Sequence, residues 1–222
     1  IFAVMYNFAA KHKIKYILTG ANYSTECVKN PMEWTYMGSD LVQLKDIHKK
    51  FGQSPLISYP TANILKHKVY LRYIKGIKVI KPLNYVPYIK KEALRFLADN
   101  YGWQNYSQKH FESRFTRFYE GYWLFKKFGY DTRRVQFSSL ILTKQMTKQE
   151  ALEKLSQPPY DENTIKQDFE YIATKLGISV NELQKYMDLS NKTYKDYKSQ
   201  LRTFVWGTKI MKALGLERRN IR

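Results

Sequence analysis

Apolar positions along the chain fall into two regimes. Up to about residue 103, short apolar runs alternate with helical periodicities. Residues 1–12 carry a helical pattern, and KYILT (Lys15–Thr19) reads as a short buried strand closed by Gly20. Helices follow over Asp40–Phe51, ending before Gly52, and over Asn63–Ile74, ending before Gly76. IKVI (Ile77–Ile80) reads as a second strand, closed by Lys81-Pro82, and Lys90–Tyr101 as a helix with Gly102 at its C′ position. A strand with a Gly-led loop at its carboxyl end is the shape of an α/β unit, in which ligands bind beyond the strand ends. After Trp103 only helix signals remain. Thr147/Glu150 and Ser179/Glu182 have capping-box spacing, Pro158-Pro159 separates two helices, and Gly177 closes a helix starting near Asp161. The last forty residues read either as one more helical pair or as a partly loose tail. The pattern therefore predicts an α/β half, residues 1–103, and a helical half, residues 104–222.

The run KHFESRFTRFYEGYWLFKKFGYDTRR (Lys109–Arg134) concentrates cations and rings. As a helix over 110–127, it places Phe111, Phe115, Phe118, Tyr122 and Phe125 on one buried stripe, with Gly121 interrupting the pattern. That stripe is core. Arg114 and Arg117 lie one turn apart on a shared face, which suits an anion with several oxygens such as pyrophosphate. The same spacing equally suits local pairing, Arg117 with Glu120 or Ser113 and Arg114 with His110. Lys126, Lys127, Arg133 and Arg134 extend the cationic zone.

GANYSTE (Gly20–Glu26) follows the first strand. Its glycine admits close backbone approach, and Asn22, Ser24 and Glu26 are able to hydrogen-bond a base or ribose or to help hold a metal; an ordinary N-capped turn has the same pattern. Lys90 and Lys91 start a helix, against the macrodipole, which hints at a role outside it; a solvated lysine face is the plainer reading.

Composition adds a net charge of +19, from 38 basic and 19 acidic residues in 222. The balance favours anionic partners: phosphate esters, nucleotides, nucleic acid or a membrane surface. The single cysteine, Cys27, excludes an intrachain disulfide, and the four histidines show neither HxxxH nor HExxH spacing, so no Cys-based or His-based metal site is expected. No apolar run approaches the roughly 20 residues of a membrane span, and a cytoplasmic setting fits. The first residues resemble the last turns of a helix begun upstream, so the chain is expected to be a fragment.

Lys109–Asp161, together with GANYSTE and PLNYVPYIKKEA, resembles the N-acetyl sugar amidotransferase family of lipopolysaccharide, O-antigen and flagellar-glycan biosynthesis. The resemblance spans roughly residues 15–161. It implies a Rossmann-like, adenine nucleotide alpha-hydrolase-like α/β fold of the PP-loop ATP pyrophosphatases, followed by a mostly helical part. It also implies ATP and Mg²⁺ as cofactors, a nucleotide-linked N-acetyl sugar as substrate, and a glutaminase partner supplying ammonia. The product would be an acetamidino sugar. The family's SGGxDS phosphate loop and the cysteine-rich segment before it are absent from this sequence, so this piece alone is not expected to catalyse. Carried over onto this chain, Gly20, Asn22, Glu26 and Lys90 form the nucleotide side. His110, Glu112, Arg114, Arg117, Lys127 and Arg133 form the substrate or pyrophosphate side. The rival readings are a tRNA-modifying PP-loop enzyme, a basic helical nucleic-acid-binding module, and a remnant of a once complete enzyme. The module reading suffers because the rings fall on a buried stripe rather than on a stacking platform.

Overall fold

A computed structural model describes residues 2–34, 38–106 and 108–215. Ile1 of the expected first helix and residues 216–222 of the expected tail lie outside them. The chain runs α1 (Phe2–Lys11), β1 (Tyr16–Leu18), α2 (Tyr23–Glu26), α3 (Leu41–Phe51), a π-helical segment (Lys66–Ile74), β2 (Lys78–Ile80) and α4 (Lys90–Tyr101). It continues through α5 (Arg114–Thr116), a second π-helical segment (Arg117–Trp123), α6 (Leu124–Phe128), α7 (Arg133–Leu142), α8 (Lys148–Leu155), α9 (Glu162–Leu176), α10 (Val180–Asp188) and α11 (Leu201–Ala213).

The chain divides into two units, one of Ile1–Thr19, Pro31–Lys81 and Lys192–Arg222, the other of Gly20–Asn30 and Pro82–Asn191. The expected boundary near residue 103 falls inside the second. In the first unit, Ala9, Ile17, Leu71 and Ile77 form the core, with Met5, Tyr6 and Ala10 packed against it. β1 and β2 pair in parallel, Ile17 opposite Val79. Buried Asp40 caps α3 by accepting from the Gln43 amide, and its other oxygen takes the Ser199 hydroxyl and the Gln200 amide. One carboxylate thus anchors the chain just before α11 onto the start of α3.

The Rossmann-like PP-loop fold is overturned. Among the described residues the sheet has only two strands of three residues each, and the rest is helix and loop. KYILT and IKVI do form strands, but only Ile17 of the paired residues is buried. A doubly wound sheet needs strands covered on both faces, whereas Tyr16, Leu18 and Val79 stay exposed. Sequence pattern sees a short apolar run and cannot count the neighbours that would flank it.

The second unit is built on the aromatic run. Phe118, Phe169, Ile172, Ala173 and Leu183 are its buried core, with Tyr122, Trp123 and Ile178 against them. The helix starts at Ser113, whose hydroxyl caps Thr116, rather than at His110, which takes a left-handed φ of 69°. Phe115 leaves the expected stripe and is 53% exposed, its ring parallel to that of Tyr119. The π-helical turns that follow explain this, because an i→i+5 ladder shifts the angular phase on which a 3.6-residue stripe depends. Thr147 and Glu150 form the capping box; Ser179 caps Glu182, but the Glu182 carboxylate accepts from the Tyr186 hydroxyl instead of closing a box.

Gly121 is buried in the π-helical stretch. A Cβ there would lie 2.8 Å from Phe111 Cζ and 3.4 Å from the Pro159 carbonyl oxygen. Gly121→Ala is therefore expected to destabilise by about 1–2 kcal/mol, overpacking outweighing the better helix propensity of alanine. A lower urea midpoint at unchanged m-value checks this.

Candidate anion-binding cleft

The GANYSTE loop folds as a capped turn docked on α7. Buried Asn22 accepts from the Thr25 amide at 2.8 Å and the Thr25 hydroxyl at 3.1 Å, and donates to the Gly20 carbonyl. Ser139, fully buried on α7, accepts from the Val28 amide at 3.0 Å, and Thr143 donates to the Ser24 carbonyl at 2.7 Å. Gln145 ties three segments together. Its carbonyl oxygen accepts from the Lys90 amide at the start of α4, and its amide nitrogen donates to the carbonyls of Ser24 and Tyr88.

These ties place α2, the start of α4, residues 108–109, α7 and α8 around a cavity of about 780 Å³. Lys90, Lys91, Lys109, Lys144 and Lys154 line it, and Ile89, Leu94, Phe137, Leu140 and Met146 give it an apolar wall. Three of its charged residues, Arg133, Glu150 and Lys109, are engaged. Arg133 is buried, forks onto Asp131 and donates to the carbonyls of Lys154 and Gln157. Glu150 is held by the Thr147 amide and hydroxyl, which keep its carboxyl below the usual range. Lys109 pairs with Glu26. Lys90, Lys91, Lys144 and Lys154 have no carboxylate at ion-pair distance among the described residues. Burial pushes the Lys90 ammonium pKa down, and the neighbouring Lys109 charge adds to the fall. A multivalent anion entering the cavity would relieve that repulsion.

Beside the cleft lies a recess of about 270 Å³ lined by Glu26, Lys109, His110, Glu120 and Gln136. Burial raises the Glu120 pKa against the opposing pull of His110 and Lys109. The structure thus gathers Glu26, Lys90, His110 and Arg133 around Lys109. Gly20 is an exposed loop position with open space beside it, and Glu112 is an exposed residue 4.0 Å from His110.

Arg114, Arg117 and Lys127 are held elsewhere in the unit. Arg114 Nε donates to Asp168 Oδ1 at 2.5 Å, and Arg117 donates to both Asp168 oxygens at 2.7 Å. The expected local partners of the two arginines are bypassed for a residue on α9. Lys127 donates to the carbonyls of Met187 and Leu189 at the end of α10.

Sequence reasoning missed Lys109, Lys144, Lys154, Gln145 and Asp168. Asp168 alone left a signal, an acid on the face of α9 that also carries Ile165, Phe169 and Ile172. An acid at such a position requires a cation.

The lysines of the cleft suit the phosphate oxygens of a nucleotide. Among the described residues no three His, Cys, Asp or Glu side chains converge to hold a metal ion. No helix among them is long and apolar enough to cross a membrane.

Fold and cleft together define a mostly helical protein with a cationic pocket of nucleotide size. Residues 112–212 match the family model described as "LPS biosynthesis protein WbpG-like, C-terminal domain". The match begins just before α5 and ends within α11. It supports the family that the sequence resembles and points to an enzyme of lipopolysaccharide biosynthesis. No curated protein matches, and no solved structure matches.

Proposed function

We propose that the chain binds a nucleotide-linked N-acetyl sugar in the lysine cleft, as part of an ATP-dependent amidotransferase of lipopolysaccharide biosynthesis. The observation that carries this is the convergence of Lys90, Lys91, Lys144 and Lys154, none within ion-pair distance of a carboxylate among the described residues, on one cavity with an apolar wall. The lysines hold the diphosphate. Phe137 and Leu140 face the base or the sugar ring, and Gln145 fixes the start of α4 so that Lys90 and Lys91 point to one place. ATP, when bound, supplies the adenylyl group that activates the N-acetyl oxygen, and ammonia from a glutaminase partner then displaces AMP to leave the acetamidino group. The recess at Glu26, His110 and Glu120 adjoins the cleft, and its half-buried Glu120, with its raised pKa, is placed to take a proton from an incoming ammonium.

Calorimetric titration with pyrophosphate and with a panel of nucleotide-linked N-acetyl sugars tests the binding step. Lys90→Ala and Lys144→Ala are each expected to weaken binding about tenfold, the worth of one charge-assisted hydrogen bond. Unchanged affinity in both variants would sink the reading. In a protein that carries the phosphate loop, ATP, ammonium and the correct sugar should release pyrophosphate and give a product in which NH replaces oxygen. Pyrophosphate release with tRNA and with no sugar would move the assignment to RNA modification.

A further inference from the structure

The first unit carries a surface that sugar binding leaves unexplained. On α11, Trp206, Ile210 and Leu214 recur at four-residue spacing and are 70%, 42% and 65% exposed. They form an outward apolar stripe on a helix. Arg202 and Lys209 lie along one flank of that stripe and Lys212 just beyond it. No acid occurs from Tyr197 to Leu216. Beside the helix a groove of about 450 Å³ runs between α11 and the first π-helical segment, and Leu65, Val69 and Tyr73 continue the apolar surface there. All three are exposed.

An apolar stripe with Arg202 and Lys209 on one flank and no acid on the helix itself matches the chemistry of an anionic lipid surface. Apolar side chains enter the acyl boundary while lysine and arginine meet headgroup phosphates. Tryptophan suits that depth because its ring is apolar and its N–H is polar. An acidic protein would satisfy the cations equally, but it would meet the stripe with a packed apolar face of its own. A 13-residue helix whose charges are all positive is simpler to match with a bilayer. From this we infer that α11 lies on the surface of an anionic membrane, Trp206, Ile210 and Leu214 inserted and Arg202 and Lys209 on the headgroups. The chain would thereby work at the membrane surface without crossing it.

Co-sedimentation of the full chain with vesicles of phosphatidylglycerol and phosphatidylcholine, and with vesicles of phosphatidylcholine alone, tests this. Binding is expected only to the anionic vesicles and should weaken as salt rises. The double variant Trp206→Ser, Ile210→Ser should bind at least about tenfold more weakly, because two exposed side chains no longer enter the apolar phase. Arg202→Gln with Lys209→Gln should lose about fivefold per cation. All four residues are at the surface, so unchanged circular dichroism will confirm that the fold survives. Absence of vesicle binding overturns the inference. Binding that ignores Trp206 and Ile210 overturns it too, since the net charge alone would then explain it. A concentration-dependent dimer abolished by the serine pair would assign the stripe to a second copy and likewise overturn it. None of these outcomes depends on the cleft lysines, so the sugar-binding proposal stands or falls separately.

Discussion

Phe118→Ala is expected to cost the second unit about 3–5 kcal/mol, the range for deleting a buried phenylalanine ring. Among the described residues five make up the buried cluster there, and Phe118 touches most of what surrounds it. Its ring meets Phe169 edge-on at 5.6 Å and lies 5.9 Å from Tyr122 and 5.8 Å from Trp123. Those contacts join the π-helical segment to α9, and Leu183 of α10 closes the cluster. A cavity at this point cannot be filled by relaxation of one neighbour, because the neighbours come from three helices. At about 2–4 °C per kcal/mol, the melting temperature should fall by roughly 6–20 °C. Phe115→Ala is the matched control. The stripe read from sequence makes the two rings equivalent, whereas the structure leaves Phe115 more than half exposed. Its loss should cost no more than about 0.5 kcal/mol. Equal melting shifts in the two variants would restore the single buried stripe and refute the π-helical phase shift.

That contrast shows what sequence could reach. Helix ends were legible wherever a local rule fixes them. Gly102 and Gly177 take the left-handed conformation at the ends of α4 and α9, and Thr147 with Glu150 closes the box that starts α8. The two strand segments were legible as apolar runs. The number of strands was not, because a sheet is a property of segments distant in sequence, and three-residue strands leave no alternation to count. The π-helical segments were invisible for a related reason. Their hydrogen bonds shift from i−4 to i−5, as in Lys75 N–H donating to the Tyr70 carbonyl, and nothing in KHKVYLRYI or RFYEGYW announces that shift.

The candidate site divides along the same line. Lys90, Glu26 and His110 were singled out; Lys90 lines the cleft, and Glu26 and His110 line the recess beside it. Lys144 and Lys154 sit on a turn and on a helix with ordinary solvated-lysine patterns, and only the tertiary fold brings them to the cleft. Arg133 was named for its charge and indeed lines the cavity, yet Asp131, two residues away, consumes that charge. The sequence displays every cation in a list of this kind, and the fold decides which of them are already neutralised. In a chain of net charge +19 the informative lysines are the few that share a cavity with no acid at ion-pair distance among the described residues.

Asp168→Ala should destabilise the second unit by about 3 kcal/mol. The carboxylate is 0% exposed, and both guanidinium groups of the KHFESRFTRF run converge on it. Removing one partner of a buried pair costs about 3–5 kcal/mol, because the other charge is left uncompensated. Here the arginines keep 39% and 32% of their side-chain surface, so they rehydrate in part and the loss sits at the low end. The pH dependence separates this electrostatic clamp from simple packing. Burial raises the Asp168 pKa, but the hydrogen bonds from Arg117 and Arg114 outweigh it and leave it below the ordinary value of 3.8. A carboxyl depressed in the folded state binds fewer protons there than in the unfolded chain. Its stabilisation is therefore complete above the unfolded pKa and is lost as pH falls through the folded one. The wild-type chain should lose stability steeply below about pH 4. Asp168→Asn, which keeps the volume and removes the charge, should be less stable at pH 7 and flatter in acid, so that the two urea-midpoint curves approach each other as pH falls. Parallel curves would mean that Asp168 acts by shape alone. Arg114 and Arg117 would then keep their charge free for an anion, as their spacing in the sequence suggests.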